Sequence, residues 1–558
     1  MDRKDVLSTL RIHSPDVLIV GGGINGIGTF RDLALQGVDV LLVEQNDFCS
    51  GASSASSHMA HGGIRYLENG EFGLVREAVQ ERNRMIENAP HLVRPLPTVI
   101  PIFKTFSGLF NAPLKFLRLL DQPAERGALV IKIGLMLYDA YTRRQGTVPA
   151  HKFISRKESL ERFPGLNPAI EYTATYYDGQ ILSPERLAIE LLLDAEAEGS
   201  HADAVNYVAL SGIQAGKAVL TDSLTGQEFT VAPRLIINAA GPWIDPVNAS
   251  LGLDRHYIGG TKGSHIVLDN PELCRAIGEN EFFFENKDGR IVLIFPFHGK
   301  IIVGTTDIPV ESADSVRCTD GEIDYFIDLV SHVFPNIRVK REQIVFRFAG
   351  VRPLEYSTAK TTGQISRDHS IHEDQLGTIP VYSLVGGKWT SFRAFSEQVT
   401  DKALEFLGLE RKSDTKQLAI GGGHNYPKSQ EAKTQMIRAT AHAGNLEETR
   451  AAALFERYGT RALTVAKYLA AISDRPLNSR PDWTQREVEF LVEHEKVAHL
   501  DDMLLRRSTL AWLGEASLPL VQELAGILAP SLGWNSQQEQ SEIQRTVEIL
   551  KVGHGVAL

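Results

Sequence analysis

The region that most constrains the fold is residues 16–44, where two apolar runs flank a segment with helical spacing. Residues 16–20 form a short apolar run that ends in glycines, and residues 38–44 form a second one. Residues 24–36 between them carry apolar side chains at helical intervals, and they are followed by Gly37, a residue type that commonly ends helices. This order predicts a strand–helix–strand unit, and therefore an α/β protein with a parallel sheet.

The turn between the first strand and the helix carries a glycine pattern typical of dinucleotide sites. Gly21, Gly23 and Gly26 fit the spacing G-x-G-x-x-G. In this motif the first glycine makes a tight turn, the second lets the backbone approach a pyrophosphate, and the third allows close packing of helix and strand. The helix N-terminus offers free N–H groups to the phosphates, and we expect Asn25 to belong to the same cofactor site.

An acidic residue completes the motif. Glu44 ends the second strand, where its carboxylate is expected to accept hydrogen bonds from a ribose. This residue favours FAD or NAD over NADP, and a glycine turn required only for packing would not need it. The motif by itself does not choose between NAD and FAD.

Composition excludes several other classes of protein. The 558 residues carry a net charge of −11, which argues against a general nucleic-acid binder. The three cysteines are far apart, so neither a disulfide scaffold nor a Cys-x-x-Cys site is expected. No metal site is predicted, since no loop of spaced Asp residues ending in Glu is present. Residues 1–15 are not typical of a signal peptide, and no run of about 18 apolar residues predicts a transmembrane helix.

A series of short motifs in a fixed order resembles the FAD-dependent glycerol-3-phosphate dehydrogenase family. The motifs are GGGINGIG (21–28), SSASSHMAHGGIRYLE (53–68), NAAGPW (238–243), KGSH (262–265), GTTD (304–307), GVRPL (350–354), SRDH (366–369), GGKWT (386–390) and AHLDDMLLRRS (498–508). The resemblance implies oxidation of sn-glycerol 3-phosphate to dihydroxyacetone phosphate, with noncovalent FAD taking the hydride and a membrane quinone taking the electrons.

The resemblance also implies the architecture of the amino-acid-oxidase-like flavoproteins. We expect an FAD-binding Rossmann-like domain built from discontinuous segments, a sheet-based substrate or cap domain, and an all-helical C-terminal domain. The expected FAD-binding segments are 1–75, 150–250 and 346–410. The expected cap segments are 76–149 and 251–345, and the helical domain is 411–558.

The phosphate of the substrate calls for cationic donors, and arginine offers bidentate geometry. The candidates in the matched motifs are Arg65 with Tyr66, Arg352 and Arg367, and Thr390 is added to the substrate-binding set. Arg352 lies in a largely apolar run, so it is expected to be partly buried and to need an anionic partner. That partner is either the substrate or a structural carboxylate such as Asp307.

Oxidation of the alcohol requires a base for the hydroxyl proton. His265 is the first choice, because the ordinary histidine pKa of about 6.5 suits proton abstraction near neutral pH. The alternative is a hydrogen-bonded structural histidine. Arg352 is a second catalytic candidate, since it could hold the developing alkoxide.

The GGKWT motif precedes a predicted helix at 391–407. A glycine turn into a helix N-terminus presents N–H groups and a positive dipole end, and in the resembled fold that end points at the flavin. We therefore expect Gly387 and Lys388 at the flavin, with Lys388 also able to contact substrate; the alternative is a solvated lysine. Trp389 stands where a smaller aliphatic residue is expected.

The serine-rich loop and a second glycine turn supply further cofactor candidates. Ser53, Ser54 and Ser57 are expected to hydrogen-bond the pyrophosphate or the flavin edges, the alternative being a flexible linker. Gly241 is expected to let the backbone approach FAD.

Residues 102–120 hold Lys104, Lys115 and Arg118 among phenylalanines and leucines, without an acidic residue. Such a segment suits contact with anionic lipid and access for a quinone, the alternative being a core helix pair. We therefore expect a cytoplasmic protein bound peripherally at the inner face of the cell membrane, and we leave a homodimer open.

Three rival functions remain at this stage. A glycerol-3-phosphate oxidase would share the flavin motifs and pass electrons to oxygen, producing hydrogen peroxide. An oxidase of amines or amino acids on the same scaffold would not need several cations for a phosphate. A non-catalytic flavin-binding protein would not show flavin reduction by substrate.

Overall fold

The structure is a computed structural model that describes residues 3–64, 71–103, 128–142, 146–285, 291–357 and 368–558. Its strands, numbered in chain order, are β1 Val17–Val20, β2 Val40–Glu44, β3 Met59–Ala60, β4 Val93–Ile102, β5 Lys152–Ser155, β6 Tyr172–Ile181, β7 Ala202–Asn206, β8 Val208–Gln214, β9 Lys217–Asp222, β10 Glu228–Val231, β11 Leu235–Asn238, β12 Thr261–Leu268, β13 Glu281–Glu285, β14 Ile291–Phe297, β15 Lys300–Gly304, β16 Ile308–Pro309, β17 Ile344–Arg352, β18 Ser370–Leu376 and β19 Ile379–Val385.

The α-helices are numbered in the same way. They are α1 Arg3–Thr9, α2 Ile24–Leu35, α3 Phe72–Asn88, α4 Ala128–Thr142, α5 Arg156–Arg162, α6 Pro184–Glu196, α7 Ile244–Ser250, α8 Pro271–Ile277, α9 Asp320–Val333, α10 Phe392–Leu407, α11 Gln430–Gly444, α12 Glu448–Tyr458, α13 Ala462–Leu469, α14 Gln485–His494, α15 Leu500–Asp502, α16 Leu518–Leu532 and α17 Ser536–Glu548. Two π-helical turns, Met503–Arg507 and Ile549–Gly553, continue α15 and α17.

A six-stranded sheet forms the first layer, in the order β18-β19-β11-β1-β2-β7. Its strands pair in parallel except for β18, which is antiparallel to β19. The central strand β1 is buried on both faces, as is usual for a parallel sheet covered by helices. Helices α2, α6 and α10 share one hydrophobic core with this sheet. The predicted strand–helix–strand unit and the predicted helix at 391–407 are confirmed.

A ten-stranded sheet forms the second layer, in the order β16-β12-β15-β14-β13-β4-β6-β3, with β17 paired to β12 and β5 paired to β6. Residues 289–307 carry two apolar runs around His298, Gly299 and Lys300, a pattern that predicts a β-hairpin, and β14 and β15 form it. Along β12 the side chains alternate: Ile266 and Leu268 join the core that covers α9, and Val267 joins the core of the C-terminal helices.

Sheet membership divides the chain at different points from the predicted domain boundaries. The segments 150–250 and 346–410 were assigned to the FAD-binding domain, but β5, β6 and β17 pair within the ten-stranded sheet. An apolar strand carries no local signal for which sheet it joins, because this depends on partners far along the chain.

The C-terminal region is helical, as predicted, from α11 onward. In its described residues the β-structure is a single isolated bridge between Pro476 and Thr484. Among the residues that the structure describes, no helix combines the length and apolar character needed to cross a membrane.

A buried charge cluster joins the C-terminal helices to the six-stranded sheet. Asp47, just beyond β2, accepts hydrogen bonds from Arg506 Nε at 2.5 Å and from Arg507 Nη1 at 2.7 Å. Burial alone would raise the pKa of Asp47, but the two guanidinium groups hold it well below its usual range. Arg506 also pairs with Asp501 and Asp502. Because each buried charge has a partner here, the cluster fixes the two regions together.

Asp47→Asn should lower the free energy of unfolding by about 3–5 kcal/mol, because it leaves two buried guanidinium groups undercompensated. The measurement is the denaturant midpoint at neutral pH. The pKa of Asp47 in the folded protein lies below its unfolded value of about 3.9. The contribution of Asp47 to stability is therefore fully present above about pH 3.9 and is lost as the pH falls from there toward the folded pKa.

The matched control is Glu161→Gln, which removes an exposed ion pair to Lys157 and should leave the midpoint unchanged. Equal midpoints for the two variants would contradict the role assigned to the cluster.

Candidate active site

The glycines of the turn before α2 allow close backbone contacts that a side chain would prevent. Gly21 has a φ of 111°, and a Cβ there would lie 2.6 Å from the carbonyl oxygen of Ala239. A Cβ on Gly26 would overlap the carbonyl oxygen of Gly21. These contacts bring β1, β11 and the start of α2 together, so the turn leaves a cradle at the N-terminus of α2 that larger residues would fill.

Serine side chains from the following loop hold this cradle in place. Ser53 Oγ accepts a hydrogen bond from the Ile24 N–H at 3.0 Å, and a Cβ on Gly23 would lie 3.2 Å from the same oxygen. Ser54 Oγ donates to the carbonyl oxygen of Gly51 at 3.1 Å. The loop is therefore bonded to the helix N-terminus, and a direct contact of either serine with the cofactor stays a prediction.

Glu44 supports the glycine turn from the end of β2. Its carboxylate accepts hydrogen bonds from the Gly22 N–H at 2.7 Å and from the Asn46 N–H at 2.9 Å. Burial raises the pKa of Glu44, while these backbone bonds act in the opposite direction. A carboxylate oxygen accepts more than one hydrogen bond, so the predicted ribose contact is compatible with this geometry and stays a prediction.

Asn25 connects the first glycine turn to the GGKWT motif. Its Nδ2 donates to the carbonyl oxygen of Gly386 at 3.2 Å, and a Cβ on Gly387 would lie 2.6 Å from Nδ2. The Asn25 Oδ1 atom is buried and has no hydrogen-bond partner among the described residues. A buried acceptor without a partner is costly, so this atom fits a site that a ligand donor completes.

The second glycine turn leaves space beside the cradle. Gly241 opens the 3₁₀ turn Gly241–Trp243 with a φ of 57°, and a Cβ there would meet no atom within 4 Å. The predicted approach of the backbone to the cofactor has room at this position. Trp389 is buried and donates from Nε1 to the carbonyl oxygen of Ser53 at 2.9 Å. The indole thus ties the GGKWT motif to the serine loop, which accounts for the large side chain there.

Thr390 and Lys388 lie just before α10. Thr390 is buried, and its Oγ1 accepts a hydrogen bond from the His61 N–H at 3.0 Å. Lys388 is half-buried. Ser391, the N-cap of α10, makes no side-chain capping hydrogen bond, so the N–H groups of this helix start are not satisfied by that side chain. Contact of Gly387 and Lys388 with the flavin stays a prediction.

Arg352, at the end of β17, has a fixed orientation. Its Nη1 donates to Asp307 Oδ1 at 3.2 Å, and its Nη2 donates to Thr305 Oγ1 at 2.9 Å. The guanidinium lies over Gly263 of β12, where a Cβ would overlap it. Asp307, one of the two partners considered for Arg352, pairs with it here, and the Arg352 side chain keeps 25% exposure. It can still meet an anion, and its role in substrate binding stays a prediction.

His265 lies on the same face of β12 as Gly263 and is 1% exposed. Its ring stacks on Phe348 of the neighbouring β17 at a centroid distance of 4.7 Å. Its Nε2 shares a hydrogen bond with Ser57 Oγ at 2.9 Å, and Nδ1 has no hydrogen-bond partner among the described residues. Burial, with Arg352 and His58 nearby, lowers the pKa of His265 well below its usual range. The imidazole is therefore neutral near pH 7.

Ser57 is the contact that sequence analysis missed. It was grouped with the cofactor-binding serines, but its hydroxyl bonds to the candidate base. Thr305 was also not singled out, although it lies in a matched motif and contacts Arg352. Neither partner can be derived from local sequence, since both contacts join distant segments.

Several predicted residues lie outside the described part of the chain. They are Arg65, Tyr66, Arg367 and most of the basic apolar segment, residues 104–120. Their roles stay predictions.

The arrangement fits a flavin dinucleotide. The loops that meet at the glycine cradle are in contact: Gly21 lies against Ala239 and Ala240, next to the open space at Gly241, and Asn25 bonds to Gly386. Asn25 Oδ1 has no hydrogen-bond partner among the described residues. Arg352 and His265 lie on the paired strands β17 and β12. Ser57 of the serine loop bonds directly to His265, so the loop lies beside these strands. The guanidinium of Arg352 and the neutral imidazole of His265 thus lie beside a cradle that suits a dinucleotide.

Comparison with known proteins agrees with this geometry. Residues 16–397 match the family model described as FAD dependent oxidoreductase, and residues 413–539 match the C-terminal domain of alpha-glycerophosphate oxidase. A glycerol-3-phosphate dehydrogenase from Synechocystis is 35% identical over 96% of both chains. An aerobic glycerol-3-phosphate dehydrogenase from Staphylococcus aureus is 30% identical, over 98% of this chain and 96% of that one.

A solved structure shares the fold over almost the whole chain. The glycerol-3-phosphate dehydrogenase from Bacillus halodurans, crystallised with FAD, aligns with a TM-score of 0.75 at 23% identity. The alignment covers 99% of this chain and 97% of that one. The predicted fold class and the predicted FAD cofactor are confirmed.

Gly26→Ala should weaken FAD binding, because its Cβ overlaps the Gly21 carbonyl oxygen and forces the turn apart. Overpacking of this kind costs about 1–3 kcal/mol or more, so FAD affinity should fall roughly tenfold to a hundredfold. The measurement is the flavin retained on purification and the FAD dissociation constant. Gly73→Ala in α3 is the control, since a Cβ there meets no atom within 4 Å. If Gly26→Ala retained as much FAD as this control, the proposed role of the glycine cradle in FAD binding would be refuted.

Proposed function

Because the chain belongs to the FAD-dependent oxidoreductase family, among its glycerol-3-phosphate dehydrogenases, we propose that it oxidises sn-glycerol 3-phosphate to dihydroxyacetone phosphate, with FAD as hydride acceptor and a membrane quinone as final electron acceptor. The observation that carries this proposal is one face of β12, where the Arg352 guanidinium covers Gly263 and the neutral His265 lies two residues further on. An anionic alcohol needs this pair of groups: a cation for its charge and a base for its proton.

Arg352 orients the anion in this proposal. Thr305 and Asp307 hold its guanidinium in one plane, so little freedom is lost when a substrate oxygen binds. A phosphate or developing alkoxide beside it gains from a charge already in position.

His265 is the base, and Ser57 is the group that reaches the substrate. The imidazole is almost fully buried, whereas Ser57 is half-buried. In our proposal Ser57 gives its hydroxyl proton to His265 Nε2 and takes the proton of the substrate hydroxyl, so that the count of protons balances. Burial is the main reason that the pKa of His265 is low, and the charge of Arg352 lowers it further; a bound phosphate dianion would offset the contribution of Arg352.

The proposal predicts that sn-glycerol 3-phosphate, added without oxygen, bleaches the visible flavin absorbance of the purified protein. Reoxidation by a soluble quinone should then be much faster than by air. His265→Asn should slow bleaching by about a hundredfold or more while FAD remains bound, since general bases contribute about 10²–10⁴. A flavin that stays oxidised with this substrate would refute the proposal.

The second candidate function is a glycerol-3-phosphate oxidase that produces hydrogen peroxide. It is favoured by the description of the family model that matches residues 413–539. The same experiment separates the two candidates, because an oxidase would be reoxidised faster by air and would release peroxide.

We also propose peripheral binding to anionic lipid at the inner face of the cell membrane. Helix α4 buries Leu135 and Tyr138 and exposes Ile133, Met136 and Leu137, which are 54%, 57% and 39% accessible. These three side chains have the spacing of one helix face. The chain before α4 carries the basic residues of the segment 102–120, which complement an anionic surface.

The lipid proposal predicts that the holoenzyme sediments with phosphatidylglycerol vesicles at low salt. The double variant Ile133→Glu with Met136→Glu should reduce the bound fraction several-fold, because it places two carboxylates on the apolar face. Ile12→Glu is the control, since Ile12 is 90% exposed elsewhere in the chain and should not affect binding. If the double variant and the Ile12→Glu control sedimented equally, the exposed face of α4 would not be the lipid-binding surface.

A further inference from the structure

A buried charged cluster lies on the face of β12 opposite to His265. Side chains alternate along a strand, so Gly263 and His265 face the candidate site while Lys262 and Ser264 face α9. Glu322 in the first turn of α9 is 5% exposed, and Lys262 is 8% exposed. Lys262 and Ser264 belong to the matched KGSH motif, but they contribute no contact to the candidate site described above.

The Glu322 carboxylate accepts hydrogen bonds at both oxygens. Oε2 accepts from Lys262 Nζ at 2.8 Å and from the N–H and hydroxyl of Thr319 at 2.8 and 2.9 Å. Oε1 accepts from Ser264 Oγ at 2.8 Å and from Thr306 Oγ1 at 2.7 Å. Burial alone would raise the pKa of Glu322, but these donors lower it, so the carboxylate is ionised.

Thr306 links this cluster to the candidate site. Its Oγ1 donates to Glu322 and accepts from the Ser264 N–H at 3.0 Å. The two residues beside it in the chain, Thr305 and Asp307, are those that hold Arg352. A shift of Thr306 would therefore be passed through the backbone to the two residues that contact the guanidinium from this loop.

We propose that Glu322 is a positioning residue for the oxidation: by holding Thr306, it fixes Thr305 and Asp307 against Arg352. Lys262 balances the buried charge of Glu322, and Ser264 supports the same oxygen as Thr306. The inference rests on the proposed function, because it assigns Glu322 to the orientation of a substrate-binding cation. A cluster that only stabilises the fold would lower stability without acting through Arg352.

The experiment is a double-mutant cycle on the holoenzyme, read as kcat/KM for sn-glycerol 3-phosphate with a soluble quinone. Glu322→Gln alone should lower kcat/KM about tenfold, since misplacement of a site group by about 1 Å can cost up to a hundredfold. In an Arg352→Lys background, Glu322→Gln should change kcat/KM by less than about twofold, because the fork geometry that it maintains is already lost. An additive, tenfold further loss in the double variant would overturn the proposal.

Thr306→Val gives an independent variant that keeps the size of the side chain and removes the hydroxyl. It should lower kcat/KM in the same direction as Glu322→Gln and should also have little effect in the Arg352→Lys background. If Glu322→Gln fails to fold with FAD, the Thr306→Val cycle decides. Wild-type kcat/KM from Thr306→Val would overturn the proposal.

The matched control is Glu196→Gln, which neutralises one partner of the Lys496–Glu196 pair, 2.9 Å apart and distant in sequence from the site. It should leave kcat/KM unchanged in both backgrounds. A fall equal to that of Glu322→Gln would show a general effect of lost ion pairs and would overturn the assignment. If the wild-type flavin is not reduced by sn-glycerol 3-phosphate, the proposed function itself fails, which is a separate outcome.

Discussion

The contact between Gly26 and the Gly21 carbonyl oxygen is the constraint on which the rest of the site depends. It brings α2 against β1 at a separation that only glycine allows, and it leaves the N-terminus of α2 open toward the loops. Glu44 and Ser53 bond to this turn from two other segments, and Asn25 at the start of α2 donates from it to the carbonyl oxygen of Gly386 in a third. The cradle thus begins at a local steric contact between two glycines, and hydrogen bonds to segments distant in the sequence complete it.

The C-terminal helices contact the segments that build this cradle. Asp47 lies three residues beyond Glu44, and its carboxylate is held by Arg506 and Arg507 of the C-terminal region. Trp512 packs at 4.8 Å from Phe348, the ring on which His265 stacks. The helical region therefore contacts both the loop that carries the acidic end of the dinucleotide motif and the ring behind the candidate base. None of the residues of the helical region was predicted to lie near the site.

Local patterns predicted the elements of the fold, and long-range pairing limited the rest. The glycine turn, the hairpin of β14 and β15 and the helical C-terminal region follow from spacing and sterics within short windows. The assignment of β6 and β17 to the ten-stranded sheet does not follow from local sequence, because a strand pairs with segments that are distant along the chain. In the site, the position of Arg352 in an apolar run predicted an anionic partner, and Asp307 was one of the two alternatives. The Ser57–His265 contact spans 208 residues, so it left no pattern in the sequence.

The flavin motifs by themselves do not distinguish a quinone from oxygen as the electron acceptor, because the same reduced cofactor would serve either. One chain of contacts connects the exposed face of α4 to the site. Tyr138, on the buried face of α4, accepts a hydrogen bond from the Gly62 N–H at 3.1 Å, and the neighbouring His61 N–H bonds to Thr390. A helix that contacts lipid on one side would thus be bonded on the other to the loop beside the flavin motif. If the proposed lipid contact holds, an apolar acceptor arriving from the membrane would meet this side of the protein first.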